Sequence, residues 1–331
     1  MELVCPAGNY PSLKAAVDNG ADAVYIGFRD ETNARHFSGL NFNDRKMEKS
    51  IDYARKRNVK IFIAINTYPQ PSGWDKWQQA VDQAAALHAD AIIVADMGVM
   101  EYASQRYPEL PIHLSVQGSA TNHESLNFYK RHFNIQRAVI PRVLSVNQIK
   151  NLAGKSPVDL EVFGFGSLCI MAEGRCHLSS YITGESPNMC GVCSPAKAVT
   201  WQQEEGALTT RLNNVLIDRY GENENASYPT LCKGRFQVND KTCHALEEPT
   251  SLNTIGIVPE LHDIGVKAIK IEGRQRSPAY VAQVVHVWRE ALDSFAAAPE
   301  RYLPREAWQL ALAKVSEGAQ TTLGAYSRPW Q

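Results

Sequence analysis

Eight short apolar runs rich in β-branched residues recur along this 331-residue chain, and segments of helical periodicity separate them. The runs cover residues 2–5, 23–27, 59–65, 91–95, 112–116, 137–140, 158–163 and 266–271. Alternating strands and helices imply parallel pairing with right-handed crossovers. Eight such units predict an α/β fold, a closed (β/α)8 TIM-like barrel. An open doubly wound sheet is the alternative, and it is disfavoured because no G-x-G-x-x-G follows the first run.

The alternation is interrupted once, between the seventh and eighth runs. Residues 164–254 lack the strand–helix rhythm, and we expect them to form a cysteine-rich insertion. Residues 1–298 would then form the barrel with its insertion, and residues 299–331 a C-terminal helix and tail. Because barrel active sites lie at the carboxyl ends of the strands, an insertion after the seventh strand would stand over the active-site mouth.

Six of the seven cysteines fall within about 75 residues of this insertion: Cys169, Cys176, Cys190, Cys193, Cys232 and Cys243. The N-terminus resembles neither a signal peptide nor a transit peptide, and no apolar run is long enough to span a bilayer. We therefore expect a cytoplasmic protein whose cysteines form a metal or redox site rather than disulfides. On spacing alone, four dispersed thiolates favour a [4Fe–4S] cluster, with zinc or inert thiols as the alternatives.

Polar side chains follow most of the predicted strands. They are Asn66, Asp96, Gln117, Arg142, Glu272 and Arg274, and Glu161 lies inside the seventh strand, near its expected end. In a barrel these positions line the catalytic face, although each residue alone could be an ordinary loop cap. The net charge of −1 argues mildly against nucleic acid as the main partner, because gripping phosphates takes an excess of Lys and Arg.

Three stretches of sequence resemble a known family. They are the run from Glu161 to Ser179 that contains Val-Phe-Gly-Phe-Gly-Ser-Leu-Cys and Ala-Glu-Gly-Arg-Cys-His, the run Gly20-Ala-Asp-Ala-Val-Tyr-Ile-Gly27 with Asn33-Ala-Arg-His-Phe37, and Lys270-Ile-Glu-Gly-Arg274 with Ser277-Pro278. They are similar to the collagenase-like "peptidase U" family. The resemblance implies an iron–sulfur hydroxylase. Some members of that family act on transfer or ribosomal RNA, and others in oxygen-independent ubiquinone biosynthesis.

The resemblance also implies a ligand set. The four cluster ligands of the family correspond to Cys169, Cys176, Cys193 and Cys232, with Cys190 as the alternative to Cys193. Relatives often carry a histidine shortly before the first ligand, and Phe165 stands at that position here. An acid–base role for that position is therefore not expected in this chain.

The implied reaction is hydroxylation of a ubiquinone-precursor ring without molecular oxygen. A small di-acid such as prephenate would donate the hydroxyl group, held by Arg35, Arg142 and Arg274. Glu161 and Glu272 would orient these arginines or transfer protons, and Asn66, Asp96 and Gln117 would form a polar floor.

Length, near-neutral charge and the expected lack of an appended RNA-binding domain favour the ubiquinone branch. That branch implies a heterodimer with a paralogous subunit and a lipid-carrier protein that presents the precursor, with no nucleic acid as partner. An RNA base hydroxylase and, less favoured, a peptidase remain the alternatives.

Overall fold

The protein is a closed barrel of eight parallel strands, described by a computed structural model for residues 1–36, 39–204 and 206–328. Phe37 of the motif that begins at Asn33, and the end of the predicted tail, lie outside the described residues. The strands are β1 (Glu2–Pro6), β2 (Ala23–Gly27), β3 (Lys60–Ile65), β4 (Ala91–Val94), β5 (Ile112–Leu114), β6 (Arg137–Val139), β7 (Asp159–Ser167), β8 (Val199–Glu204), β9 (Ala207–Leu212), β10 (Val215–Tyr220), β11 (Phe236–Val238), β12 (Lys241–Cys243), β13 (Ser251–Asn253), β14 (Ala268–Ile271) and β15 (Thr321–Thr322).

Strands β1 to β7 pair in chain order, and β14 closes the barrel by pairing with both β7 and β1. The predicted (β/α)8 barrel is therefore confirmed, and the doubly wound alternative is wrong. The helices are α1 (Tyr10–Asp18), α2 (Asp44–Arg55), α3 (Trp74–Ala86), α4 (Met97–Arg106), α5 (His123–Phe133), α6 (Val146–Ala153), α7 (Leu178–Thr183), α8 (Pro187–Cys190), α9 (Val258–Asp263), α10 (Pro278–Ala297) and α11 (Glu306–Ala313).

Local sequence fixes where the outer helices begin. Asn9, Asn43, Asn122, Ser145 and Ser277 each accept a hydrogen bond from a backbone N–H of the first turn. Such caps satisfy donors that a helix start leaves unpaired, at roughly 1 kcal/mol each. The main core lies between these helices and the outer faces of the strands, where the indole of Trp288 is fully buried.

The inside of the barrel is only partly apolar. A small cluster that includes Val4, Tyr25 and Phe62 fills part of it. The charged side chains of Glu161 and Lys270 occupy the rest, and both are almost fully buried. A charged residue within a buried strand needs a partner, since an unpaired buried charge is costly.

The insertion begins after β7 and ends before α9, so it belongs to the loop at the carboxyl end of β7. It has more regular structure than its sequence predicts: β8, β9 and β10 form an antiparallel sheet, and β11 and β12 form a hairpin. Strand β13 returns to pair antiparallel with β7, and β15 from the C-terminal segment pairs with β13. Within the described ranges, no helix has the length and apolar character needed to cross a membrane.

Candidate functional site

A cavity of about 170 Å³ opens at the carboxyl ends of the barrel strands, beneath the insertion. Its walls come from the loops after β2, β3, β5, β6, β7 and β14, where the sequence predicts the site. Nine of the twelve predicted site residues line it: Arg35, Asn66, Gln117, Arg142, Cys169, Cys176, Cys193, Glu272 and Arg274. Tyr25, Phe163, Glu173 and Lys270 also contribute to its lining.

Arg142 is a buried cation held by its neighbours. Its Nε lies 2.6 Å from Oε1 of Glu173, another of its N–H groups donates to the carbonyl of Ser167, and its guanidinium stacks 4.4 Å from the ring of Phe163. Both members of the ion pair are less than 10% exposed. Removing one partner of such a buried pair costs about 3–5 kcal/mol, because it leaves an uncompensated charge.

Arg274 is equally buried but has no carboxylate partner at hydrogen-bond distance among the described residues. Its guanidinium donates to Oδ1 of Asn33 at 2.8 Å and to the carbonyl of Ala34. Burial lowers the pKa of Arg274 to about 10, and the nearby positive charge of Arg35 adds to the effect. A buried cation surrounded by neutral acceptors makes this wall of the cavity favourable to anions.

Arg35 stands in the loop after β2, in the left-handed backbone region at φ +87°. Its guanidinium donates to the carbonyl of Gly191, which links this loop to the segment between Cys190 and Cys193. Asn66 supports the same loop, because its Oδ1 accepts from the backbone N–H of Ala34 at 2.9 Å. The loop that carries Arg35 is therefore fixed against both the barrel and the insertion.

Gln117 and Glu272 complete the polar lining. Oε2 of Glu272 accepts a long hydrogen bond of 3.4 Å from the backbone N–H of Ser167. Oε1 of Gln117 is buried and has no hydrogen-bond partner among the described residues, and the same holds for Oε2 of Glu173. Two buried acceptors without a donor indicate that a ligand or water with N–H or O–H groups would be stabilised here.

The predicted ligand cysteines interact electrostatically with one another. The pKa values of Cys169 and of Cys232 are raised to about 12, chiefly by burial, and the charge of Cys193 contributes to both shifts. Burial also raises the pKa of Cys193, and the charge of Cys176 contributes to that shift. Cys193 therefore lies within electrostatic reach of Cys169, Cys176 and Cys232.

The other two insertion cysteines stand apart. The thiol of Cys190 donates to the carbonyl of Ser186 at 3.0 Å, and the shift of its pKa has no contribution from another cysteine. Cys243 is exposed on β12. Cys193 lines the cavity and Cys190 does not, which favours Cys193 over Cys190 as a member of the thiol set.

The chemistry of the thiol set fits an iron–sulfur cluster. Cysteine thiolates are the donors that a [4Fe–4S] cluster takes, and Cys169, Cys176, Cys193 and Cys232 would hold it. Zinc also accepts thiolate ligands. Within the described ranges, no three His, Cys, Asp or Glu side chains are placed to hold one metal ion.

Three predicted site residues do not line the cavity. Asp96 caps α4, where its Oδ1 accepts from the backbone N–H of Val99 at 3.0 Å. Glu161 lies near the start of β7 rather than near its end, because that strand continues to Ser167, and its carboxylate lies inside the barrel. Cys232 is not among the lining residues, although the charges of Cys193 and Cys176 contribute to the raised pKa of its thiol.

Two charged residues of the site escaped the sequence prediction. Glu173 is the buried partner of Arg142, and Lys270 forms part of the cavity floor. Both stand inside the stretches that carry the family resemblance. For Lys270 a further signal was available, since a lysine in the otherwise apolar run Ala-Ile-Lys-Ile of a buried strand needs a specific reason to be there.

Comparison with known proteins identifies the family of this chain. The family model described as "Peptidase family U32" matches residues 8–329. The "Uncharacterized protease MJ0090" of Methanocaldococcus jannaschii is 34% identical over 299 residues, which cover 89% of this chain and 65% of that protein. The "tRNA hydroxylation protein P1" of Bacillus subtilis is 30% identical over 314 residues, which cover 93% of this chain and 66% of that protein.

Among solved structures, "The Structure of the U32 Peptidase Mk0906" matches with a TM-score of 0.43 at 14% identity, over 50% of this chain and 68% of that one. The chain spans slightly less than two thirds of the length of the two sequence relatives.

Fold and site together define a class of protein, a TIM barrel whose seventh strand–helix loop carries a set of cysteines over a cationic cavity. The family match covers nearly all of the chain. This chain belongs to peptidase family U32.

Proposed function

We propose that this chain is a subunit of an oxygen-independent hydroxylase and holds one [4Fe–4S] cluster through Cys169, Cys176, Cys193 and Cys232. The observation that carries the proposal is that Cys169, Cys176 and Cys193 line one cavity together with buried cations, while Cys232 interacts electrostatically with Cys193 and Cys176. A hydroxylase-like role also agrees with the name of the Bacillus subtilis relative.

A cluster bound by four thiolates would transfer electrons rather than bind substrate, because it has no free iron site, and the two electrons that the ring loses when C–H becomes C–OH would pass through it to an electron acceptor. The chain's own residues bind and orient the reactants. Arg35, Arg142 and Arg274 would give the cavity its affinity for a small di-acid hydroxyl donor such as prephenate. Glu173 keeps Arg142 in place, and the unpaired oxygen of Gln117 would accept a hydrogen bond from a hydroxyl group of the donor.

The proposed acceptor is the aromatic ring of a ubiquinone precursor. In this reading the chain is UbiU-like and works as a heterodimer with a paralogous UbiV-like subunit. Because the precursor is lipidic, a lipid-carrier protein would present it to the heterodimer. The reducing cytoplasm is the compartment that keeps all seven cysteines available as thiols.

An RNA base is the second candidate acceptor, and the name of the Bacillus subtilis relative specifically favours it. Genuine peptidase activity is a third and weaker candidate, suggested by the family description. Tight, salt-sensitive binding of transfer RNA to the isolated chain would favour the RNA acceptor over the quinone. Peptide cleavage that survives loss of iron would contradict the redox function.

The decisive experiment is anaerobic purification followed by iron and sulfide analysis and absorption spectroscopy. We expect about four irons per chain, and we expect Cys169→Ala, Cys176→Ala, Cys193→Ala and Cys232→Ala each to lose most of them. Cys190→Ala and Cys243→Ala are the matched controls from the same insertion and should keep their iron.

Loss of iron in Cys190→Ala but not in Cys193→Ala would reverse the assignment within that pair. Zinc in place of iron in the wild-type chain would reject the cluster.

A further inference from the structure

Lys270 is a buried cation at the floor of the cavity with unused hydrogen-bonding capacity. Its Nζ lies 2.7 Å from Oε1 of Glu161 and 3.9 Å from the centre of the Tyr25 ring. An ammonium group has three N–H donors, and among the described residues only Glu161 accepts one. The side chain is 6% exposed and lines the cavity, so its remaining donors have no bulk water to satisfy them.

Glu161 does not fully neutralise Lys270, because it also serves a second cation. Its Oε2 lies 3.3 Å from a guanidinium nitrogen of Arg137, and the same nitrogen lies 2.5 Å from Oε2 of Glu2. The chain of ion pairs ends with Lys60, 2.8 Å from the other carboxylate oxygen of Glu2. Lys60 is 56% exposed and solvated, so among the buried groups Lys270 and Arg137 share the carboxylates of Glu161 and Glu2.

Within this network, Lys270 is the residue that lines the cavity. Lys270 stands two residues beyond Ala268 on β14, and Ala268 is the residue that pairs with Glu161. The ammonium thus lies one layer nearer the carboxyl ends of the strands than the carboxylate below it. Burial lowers the pKa of Lys270, while Glu161 acts in the opposite direction, and an anion in the cavity would stabilise the charged form further.

The arginines around the cavity have less capacity to spare. Arg142 already binds Glu173 and the carbonyl of Ser167, and Arg274 binds Asn33 and the carbonyl of Ala34. These arginines give the walls of the cavity their positive potential, but several of their N–H donors are already bonded to acceptors of the protein.

We infer that Lys270 is an anion-binding residue, whose ammonium donates directly to a carboxylate group of the molecule that occupies the cavity. Glu161 is then a positioning residue rather than a catalytic acid or base, because it holds Lys270 from below and shares its charge with Arg137. The inference deepens the proposed function by assigning one carboxylate of the donor to the cavity floor, and it rests on that function only for the identity of the donor.

The test is isothermal titration of the full-length, anaerobically purified chain with two probes, prephenate and the monocarboxylate benzoate. Replacing a charge-assisted hydrogen bond should weaken binding by about 10- to 100-fold in Lys270→Met. Lys270→Arg keeps the charge and should recover part of the affinity. Lys267→Met is the matched control, since Lys267 is exposed three residues earlier and should bind both probes like wild type.

Because Lys270→Met leaves the buried Glu161 with Arg137 as its remaining partner at 3.3 Å, the double variant Lys270→Met/Glu161→Gln is measured beside it. This variant removes both charges and should fold but bind as weakly as Lys270→Met. Wild-type affinity for both probes in either variant would overturn the inference, and so would a wild-type chain that binds neither probe. Lys270-dependent binding of benzoate without binding of prephenate would support the anion site and reject the di-acid donor of the proposed function.

Discussion

Close backbone contacts, as well as charge, restrict which residue types fit at positions around the cavity. Gly174 follows Glu173 and has a backbone φ of +91°. A Cβ atom at this position would overlap the carbonyl oxygen of Gln117. The segment between Cys169 and Cys176 can therefore approach the β5 loop only with a glycine here, and this approach places Glu173 against Arg142.

We expect Gly174→Ala to lower the free energy of unfolding by about 2 kcal/mol or more, since it combines an unfavourable φ with a backbone clash. The measurement is denaturant unfolding of the purified chain. Gly256→Ala is the matched control, because a Cβ there meets no atom within 4 Å. Equal stability of the two variants would contradict the close approach of residue 174 to the β5 loop.

Residue-scale prediction from sequence succeeded where a residue follows a strand and failed where its surroundings decide its role. Arg142 and Arg274 follow strands, so the barrel rule places them at the mouth. Asp96 also follows a strand, yet its side chain turns back to cap α4. The position of a residue in the sequence predicts which loop or strand carries it, but not the direction of its side chain. For this reason the sequence did not predict Glu173 and Lys270 as site residues.

Several side chains of the barrel strands that point into the barrel are polar. Alternation places inward-facing side chains on every second residue of a strand, and in β5 the inward residue is His113. Its ring packs edge-on against Phe62 at 4.7 Å and is 7% exposed. Burial, together with the charges of Arg137 and Lys270, lowers the pKa of His113 to about 3.

This buried histidine predicts a loss of stability in acid. The unfolded chain protonates His113 below its ordinary pKa of 6.5, whereas the folded chain does so only below about 3. As the pH falls through this window the unfolded state binds more protons, so its relative free energy falls. Full stability is present above pH 6.5 and decreases progressively towards pH 3.

We expect His113→Gln to remove this dependence. We compare the unfolding free energy of the variant with that of wild type at each pH. Relative to wild type, the variant should be about 2–3 kcal/mol more stable at pH 4.5 than it is at pH 7.5. Unfolding curves at both pH values give this difference directly. Parallel changes in the two proteins would show that His113 is not held neutral by the barrel.

At the scale of the whole molecule, the C-terminal segment ties the insertion to the barrel. Lys233, next to Cys232, donates to Oγ of Ser167 at the end of β7 and pairs with Glu317 of that segment. Farther along, Gly324 packs against Leu168, immediately before Cys169. The sequence predicts a helix and a polar tail here. Periodicity could not reveal these contacts, because Lys233 lies 66 positions from Ser167 and 84 from Glu317.

Tyr326 tests whether this segment contributes to the stability of the barrel. Its hydroxyl donates to the backbone carbonyl of Phe163 in β7 at 2.9 Å, and the side chain is 5% exposed. We expect Tyr326→Phe to lower the free energy of unfolding by about 1 kcal/mol, because it leaves a buried carbonyl oxygen without that donor. Tyr181→Phe makes the same chemical change at a side chain that is 93% exposed, and it should have no measurable effect. Equal unfolding midpoints for wild type and Tyr326→Phe would mean that the hydrogen bond from Tyr326 to Phe163 does not stabilise the barrel. The ion pair between Glu317 and Lys233 would then be the main link from this segment to the rest of the protein.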